Sequence, residues 1–82
     1  MQLEILSPEK KIYSGEADGV QMPGVTGSFE VLNNHAPMIA ALAKGKMRVR
    51  KGKENTVYQI KGGFVEVLNN QVSVLVEGVE QM

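Results

Sequence analysis

Apolar residues recur at every second position along most of this chain. Leu3 and Ile5 flank Glu4. Asp18, Val20 and Met22 share one face. Met47 and Val49 alternate with Lys46, Arg48 and Arg50. Thr56, Tyr58 and Ile60 alternate with Val57, Gln59 and Lys61, and Val72, Val74 and Val76 form one face of the last run. A period of two marks a half-buried strand. The pattern predicts strands over 3–6, 10–14, 18–22, 29–32, 46–50, 56–61, 64–68 and 72–76. No long amphipathic helical period appears. Strand after strand at a spacing of roughly 8–12 residues argues for an all-β fold, a small β-sandwich or barrel.

Turn residues separate these runs. Pro8 cannot donate to a ladder, and Gly15 is expected to end the second strand. Pro23-Gly24 suits the two central positions of a type II turn, where glycine supplies the positive φ. Asn33-Asn34 and Asn69-Asn70 are strong turn pairs, because asparagine tolerates the left-handed region. Gly62-Gly63 is read as a break or bulge. Phe29–Asn34 and Val65–Asn70 resemble each other closely, and we read them as one hairpin solution used twice. The segment Met38–Leu42 stays open at this level. Asn34 as a cap, Pro37 early and Gly45 as a stop would frame a short helix, whereas a short apolar run between turn signals also fits a buried strand.

Composition narrows the function classes. Eighty-two residues make one domain, spanning 1–82, with a modest core. There is no Cys, so neither disulfides nor thiolate metal sites are expected. The formal net charge is zero, which gives no global attraction to nucleic acid or an anionic membrane. No apolar run approaches the roughly 18 residues of a membrane-spanning helix, and the N-terminus lacks the pattern of a secretory signal.

Candidate chemistry is sparse. His35 is the single histidine, so a Ser-His-acid arrangement would need it together with Ser28, and no acidic residue is placed to orient the ring. The plain reading is a turn histidine bonded to backbone. Gly24–Ser28 lacks the spacing of a phosphate loop and reads as a β-turn. Lys44–Lys53 carries six of the nine basic residues. It offers an alternative function, a small β-barrel binding nucleic acid or another anionic ligand, but it has no aromatic residue for base stacking and reads first as a solvated strand face. The stretch Met22–Leu42 holds two of the three prolines, one of the two phenylalanines and the histidine. Such dense turn chemistry on a strand frame marks a shaped functional surface.

Taken together, Met22-Pro23-Gly24-x-x-Gly27-x-Phe29-x-Val31-Leu32-x-x-His35-Ala36-Pro37, then Gly45, then Gly62-Gly63-Phe64-x-Glu66-Val67 and Val72-x-Val74-Leu75, resemble the epsilon subunit family of the F-type ATP synthase, called delta in mitochondria. The likeness is to its N-terminal β-sandwich domain and runs over the whole chain. It implies two packed five-stranded sheets, with Met38–Leu42 as a strand. It implies no catalysis and no cofactor, but a rotor part of the central stalk that binds the gamma subunit and the ring of c subunits. That role would place the chain at the cytoplasmic side of the cell inner membrane, peripherally, within the ATP synthase complex. Position by position, the resemblance assigns the c-ring contact to Gly27, Ser28, Glu30, Asn33 and Asn34. It assigns the gamma contact to His35, Ala36, Met38, Ala40 and Leu42. A polar turn suits a hydrated ring surface, and a small apolar strand suits dry packing on a stalk. Two departures stand out. The sequence ends at Met82, where many members continue into a two-helix hairpin, so restraint of hydrolysis and ATP binding through that hairpin are expected to be absent. Asn33-Asn34 also replaces a pair that often contains Pro or Gly.

Overall fold

Ten strands and no helix make up a computed structural model that describes residues 1–82. They are β1 (Gln2–Leu6), β2 (Lys11–Glu16), β3 (Gly19–Gly24), β4 (Gly27–Leu32), β5 (Met38–Leu42), β6 (Gly45–Lys51), β7 (Glu54–Ile60), β8 (Gly62–Leu68), β9 (Gln71–Glu77) and β10 (Glu80–Gln81). Hydrogen-bonded neighbours run β4-β3-β6-β7-β10 in one layer and β5-β8-β9-β1-β2 in the other. The layers join where Gly24 of β3 pairs with Leu42 of β5. This is the expected sandwich of two five-stranded sheets. All pairings are antiparallel except β1 beside β9.

The period-two pattern becomes the core. Leu3, Ile5, Val20, Met22, Met47, Val49, Ile60, Val72, Val74 and Val76 all belong to one buried cluster of 17 residues between the layers. Branched side chains fit this pleated interface because their χ1 is already restricted. No polar or charged side chain is buried; the buried charge is the Met1 ammonium, which donates to the Ala17 carbonyl.

The turns differ from expectation in instructive ways. The β3–β4 turn is Val25-Thr26, while Pro23 and Gly24 stay in the ladder opposite Ser28 and Gly27. Gly24 is needed there for space, since a Cβ would come within 2.7 Å of the Gly27 carbonyl oxygen. Gly15 does not end β2 but pairs with Leu3. Met38–Leu42 is a strand, because its backbone pairs along the whole of β8 from Val67 to Gly63. The two Asn-Asn pairs are not equivalent. Asn69 (φ 51°) and Asn70 (φ 58°) form a two-residue hairpin turn with both residues left-handed, as a type I′ turn requires. In the first pair only Asn34 (φ 63°) is left-handed, and the chain crosses from one sheet to the other. The short β10 was not expected; Glu80 and Gln81 pair with Gln59 and Tyr58.

Candidate functional site

Strand β5 alternates in exposure at its start, while Ala40 and Ala41 are both half-buried. Leu42 is buried, and Met38 and Ala40 are half-buried and pack against the core. Ile39, three-quarters exposed, points the other way. The three β5 side chains assigned to a gamma contact therefore face inward, where Met38 and Ala40 line a depression of about 470 Å³ between β5 and the β3–β4 hairpin. The outward face of the same sheet carries one apolar row, next to a polar one of Glu66, Ser73 and Glu4. Register places Ala41 beside Phe64, Phe64 beside Leu75, and Leu75 beside Leu6. This row crosses four strands, with Phe64 61% and Leu75 55% exposed. A depression of about 290 Å³ lies over Leu6, Phe64 and Leu75, edged by Pro8. Composition could not reveal this row, because its members are spread over strands far apart in sequence.

The residues assigned to a c-ring contact are all exposed, but they do not form one cluster. Gly27 and Ser28 begin β4, Glu30 lies at its middle, and Asn33-Asn34 follow its end. What they share is β4, whose only ladder is with β3, leaving its other edge open. Val25, at the tip of the hairpin and 63% exposed, donates its N–H to the Ala41 carbonyl. The polar β4 edge and the apolar row of the β5 sheet thus meet at one corner.

The Asn33-Asn34 turn is held from three sides. The Asn34 N–H donates to Asn70 Oδ1 at 2.7 Å. The Met1 ammonium donates to Asn33 Oδ1 and, at 2.9 Å, to the Ala17 carbonyl. These bonds tie the crossing between sheets to the β8–β9 hairpin and the N-terminus. Asn70→Ala removes one of them and also gives up asparagine's tolerance of the left-handed conformation at φ 58°. We expect a loss of about 1–2 kcal/mol, seen as a lower urea midpoint with an unchanged slope. Asn70→Gly, which relieves the backbone, should recover part of it.

His35 is half-buried, and its Nδ1 lies 2.8 Å from the Ala36 carbonyl, a contact that calls for the proton on Nδ1. Ser28 Oγ accepts from Gln21 Nε2 at 3.3 Å at the far end of β4. The two side chains that a nucleophilic arrangement would need are therefore held apart by the strand and engaged elsewhere. On the basic strand β6, Arg50 Nη2 lies 3.9 Å from Glu30 Oε2, and Lys51 pairs in register with Glu54. Asp18 Oδ2 accepts the Gly52 N–H at 2.6 Å and fixes the following turn. Part of the positive charge is thus balanced locally, as suits a solvated face.

Comparison with known proteins agrees with this architecture. The family model described as "ATP synthase, Delta/Epsilon chain, beta-sandwich domain" matches residues 1–82. The ATP synthase epsilon chain of Leptospira interrogans is 42% identical over 77 residues, 94% of this chain and 61% of that protein. That of Thermosynechococcus vestitus is 41% identical over 81 residues, 99% of this chain and 59% of that protein. The chain thus spans about 60% of the length of these curated relatives. Among solved structures, a chain of the Euglena gracilis mitochondrial ATP synthase superposes with a TM-score of 0.92 at 23% identity, covering 99% of this chain and 52% of that one. A chain of the Tetrahymena thermophila mitochondrial ATP synthase central stalk and c ring gives 0.83 at 16% identity, covering 96% and 64%. Those two establish likeness of fold. With the family model matching from the first residue to the last, the chain belongs to the ATP synthase delta/epsilon chain β-sandwich family.

Proposed function

We propose that this chain is a non-catalytic rotor subunit in the central stalk of a proton-translocating F-type ATP synthase, where it binds the gamma subunit and the c ring. It would couple ring rotation to the catalytic head, at the cytoplasmic face of the inner membrane. The observation that carries this reading is the apolar row Ala41–Phe64–Leu75–Leu6 on an otherwise solvent-facing sheet. An exposed apolar face on so small a domain marks a protein partner. The family to which the chain belongs supports reading that partner as the central stalk.

The face of β5 is revised accordingly. The gamma contact is assigned to Ile39 and Ala41, with Phe64, Leu75 and Leu6, rather than to the inward Met38, Ala40 and Leu42. His35 and Ala36 remain at its border. The c-ring contact runs along the open β4 edge through Gly27, Ser28 and Glu30, with Asn33 and Asn34 at its far end. A sheet sandwich tied at that end by Asn70 and Met1 is a stiff spacer, which suits a part that transmits torque.

The test is co-elution of the chain with a gamma-containing ATPase head on a sizing column, at low and at moderately high salt. Apolar docking predicts a complex that survives added salt, because screening weakens charge pairing and not burial. The complex should also survive neutralisation of Arg48 and Arg50. Association that vanishes with salt, or with the arginine changes, would transfer the assignment to the basic strand and an anionic partner.

A further inference from the structure

The sandwich has a second seam, on the side away from β4 and β5, where edge strands β2 and β10 end the two sheets. A crevice of about 140 Å³ opens there, lined by Lys10, Lys11, Ile12, Tyr58, Val79 and Gln81. Three features of its lining point to one ligand chemistry. First, every polar side chain in it is a hydrogen-bond donor, and none is a carboxylate. Glu4, which does not line the crevice, pairs with Lys11 at 3.4 Å, but that pair is solvent-exposed and readily exchanged. Second, Tyr58 is only 4% exposed, yet its phenol makes no side-chain hydrogen bond within the chain. No sealed side-chain oxygen is left unpaired, so this hydroxyl is reached from the crevice. Burial, with Tyr13 nearby, raises its pKa, which keeps it a neutral donor at physiological pH. Third, Ile12 and Val79 are apolar walls, and the volume admits one small group rather than a nucleoside or a peptide.

We propose that this crevice binds a single small oxyanion, of which inorganic phosphate is the type, between the Lys10 and Lys11 ammonium groups, the Tyr58 hydroxyl and the Gln81 amide. The anion would bridge the two edge strands that no backbone ladder joins. Charge-assisted bonds from two lysines supply most of the attraction, and the phenol sets the depth at which the anion sits. The crevice lies at the seam away from β4 and β5, although Lys11 is the register neighbour of Leu6 at the end of the apolar row.

The test is a titration of the 82-residue chain with sodium phosphate, followed by backbone amide shifts in two-dimensional nuclear magnetic resonance, against sodium chloride at equal ionic strength. Phosphate should give saturable shifts centred on Ile12, Tyr58, Val79 and Gln81 that chloride does not reproduce. The Lys10→Gln/Lys11→Gln pair, at exposed positions that leave the core intact, should weaken binding about tenfold or more. Tyr58→Phe keeps the packing and should weaken it about threefold. Shifts that never saturate, that chloride matches, or that centre on Lys44–Lys53 would overturn the assignment. So would full affinity in the lysine pair.

Discussion

Replacing Gly63 with alanine is expected to destabilise the domain by about 3 kcal/mol or more, the largest effect of any single methyl in this chain. Gly63 lies in β8 between Leu42 on β5 and Val76 on β9, with φ at 153°. A Cβ at this position would stand 2.0 Å from the Leu75 carbonyl oxygen and 3.0 Å from the Val76 Cα. Both are backbone atoms of a central strand, so neither can move without breaking the ladder. Gly62 is the internal control. Its φ is 157°, almost the same, but the nearest atom to its Cβ would be the Leu42 carbonyl oxygen at 3.5 Å, ordinary contact. Gly62→Ala therefore reads the backbone strain alone, and Gly63→Ala reads strain plus collision. A domain of this size holds roughly 4–12 kcal/mol in total. At about 4–8 °C per kcal/mol, Gly63→Ala should lower Tm by well over 10 °C, and Gly62→Ala by much less. Equal losses in the two variants, followed by circular dichroism on heating, would refute the close-approach account. The same geometry explains why the sequence carries a paired glycine before Phe64: the first bends the chain into β8, and the second lets β8 lie against β9.

The legible and illegible parts of this fold divide along a physical line. Val72, Val74 and Val76 alternate with Gln71, Ser73, Leu75 and Glu77, three of them polar, so their inward face followed from the pattern alone. Met47 and Val49 among lysines and arginines were equally plain. In β5 every residue is apolar, Met38-Ile39-Ala40-Ala41-Leu42, and period two then says which side chains share a face without saying which face is inside. The resemblance assigns Met38, Ala40 and Leu42 to the gamma contact, and the alternation of β5 by itself does not choose between that face and the one that carries Ile39. The row Ala41–Phe64–Leu75–Leu6 needed four registers to be known, and register is a property of strand pairs rather than of any one strand. The Pro23-Gly24 turn moved by two residues because glycine answers two needs, positive φ and absent bulk, and the sequence does not distinguish them. β10 is only two residues long and offers no period to detect.

Under the proposed stalk contact, charging the outward face at Phe64 and Leu75 should abolish docking while leaving the isolated fold intact. Phe64 is 61% exposed and Leu75 55%, and they are cross-strand neighbours on the solvent side of the sheet. In the free domain a glutamate at either site stays hydrated, and in Phe64→Glu/Leu75→Glu the lost cross-strand pair plus two facing carboxylates should cost about 1–2 kcal/mol, small enough to leave the domain folded. Against a dry partner surface the same carboxylates must shed water, with Lys11 only at the far end of the row beside Leu6, and the lost aromatic removes a central anchor. Loss of at least 2 kcal/mol at a central anchor, with a second buried charge beside it, corresponds to a fall in affinity on the order of 100-fold. Met38→Glu distinguishes the two faces of the layer. Its side chain packs against the core, so it should lower Tm first and weaken binding only as a consequence. Affinity for the gamma-containing head, measured beside Tm for each variant, separates the cases. A doubly charged variant that docks like the unmodified chain would show that the apolar row lies outside the stalk contact. A stable Met38→Glu variant that fails to dock would return the contact to the inward side of β5 and to the depression it shares with the β3–β4 hairpin.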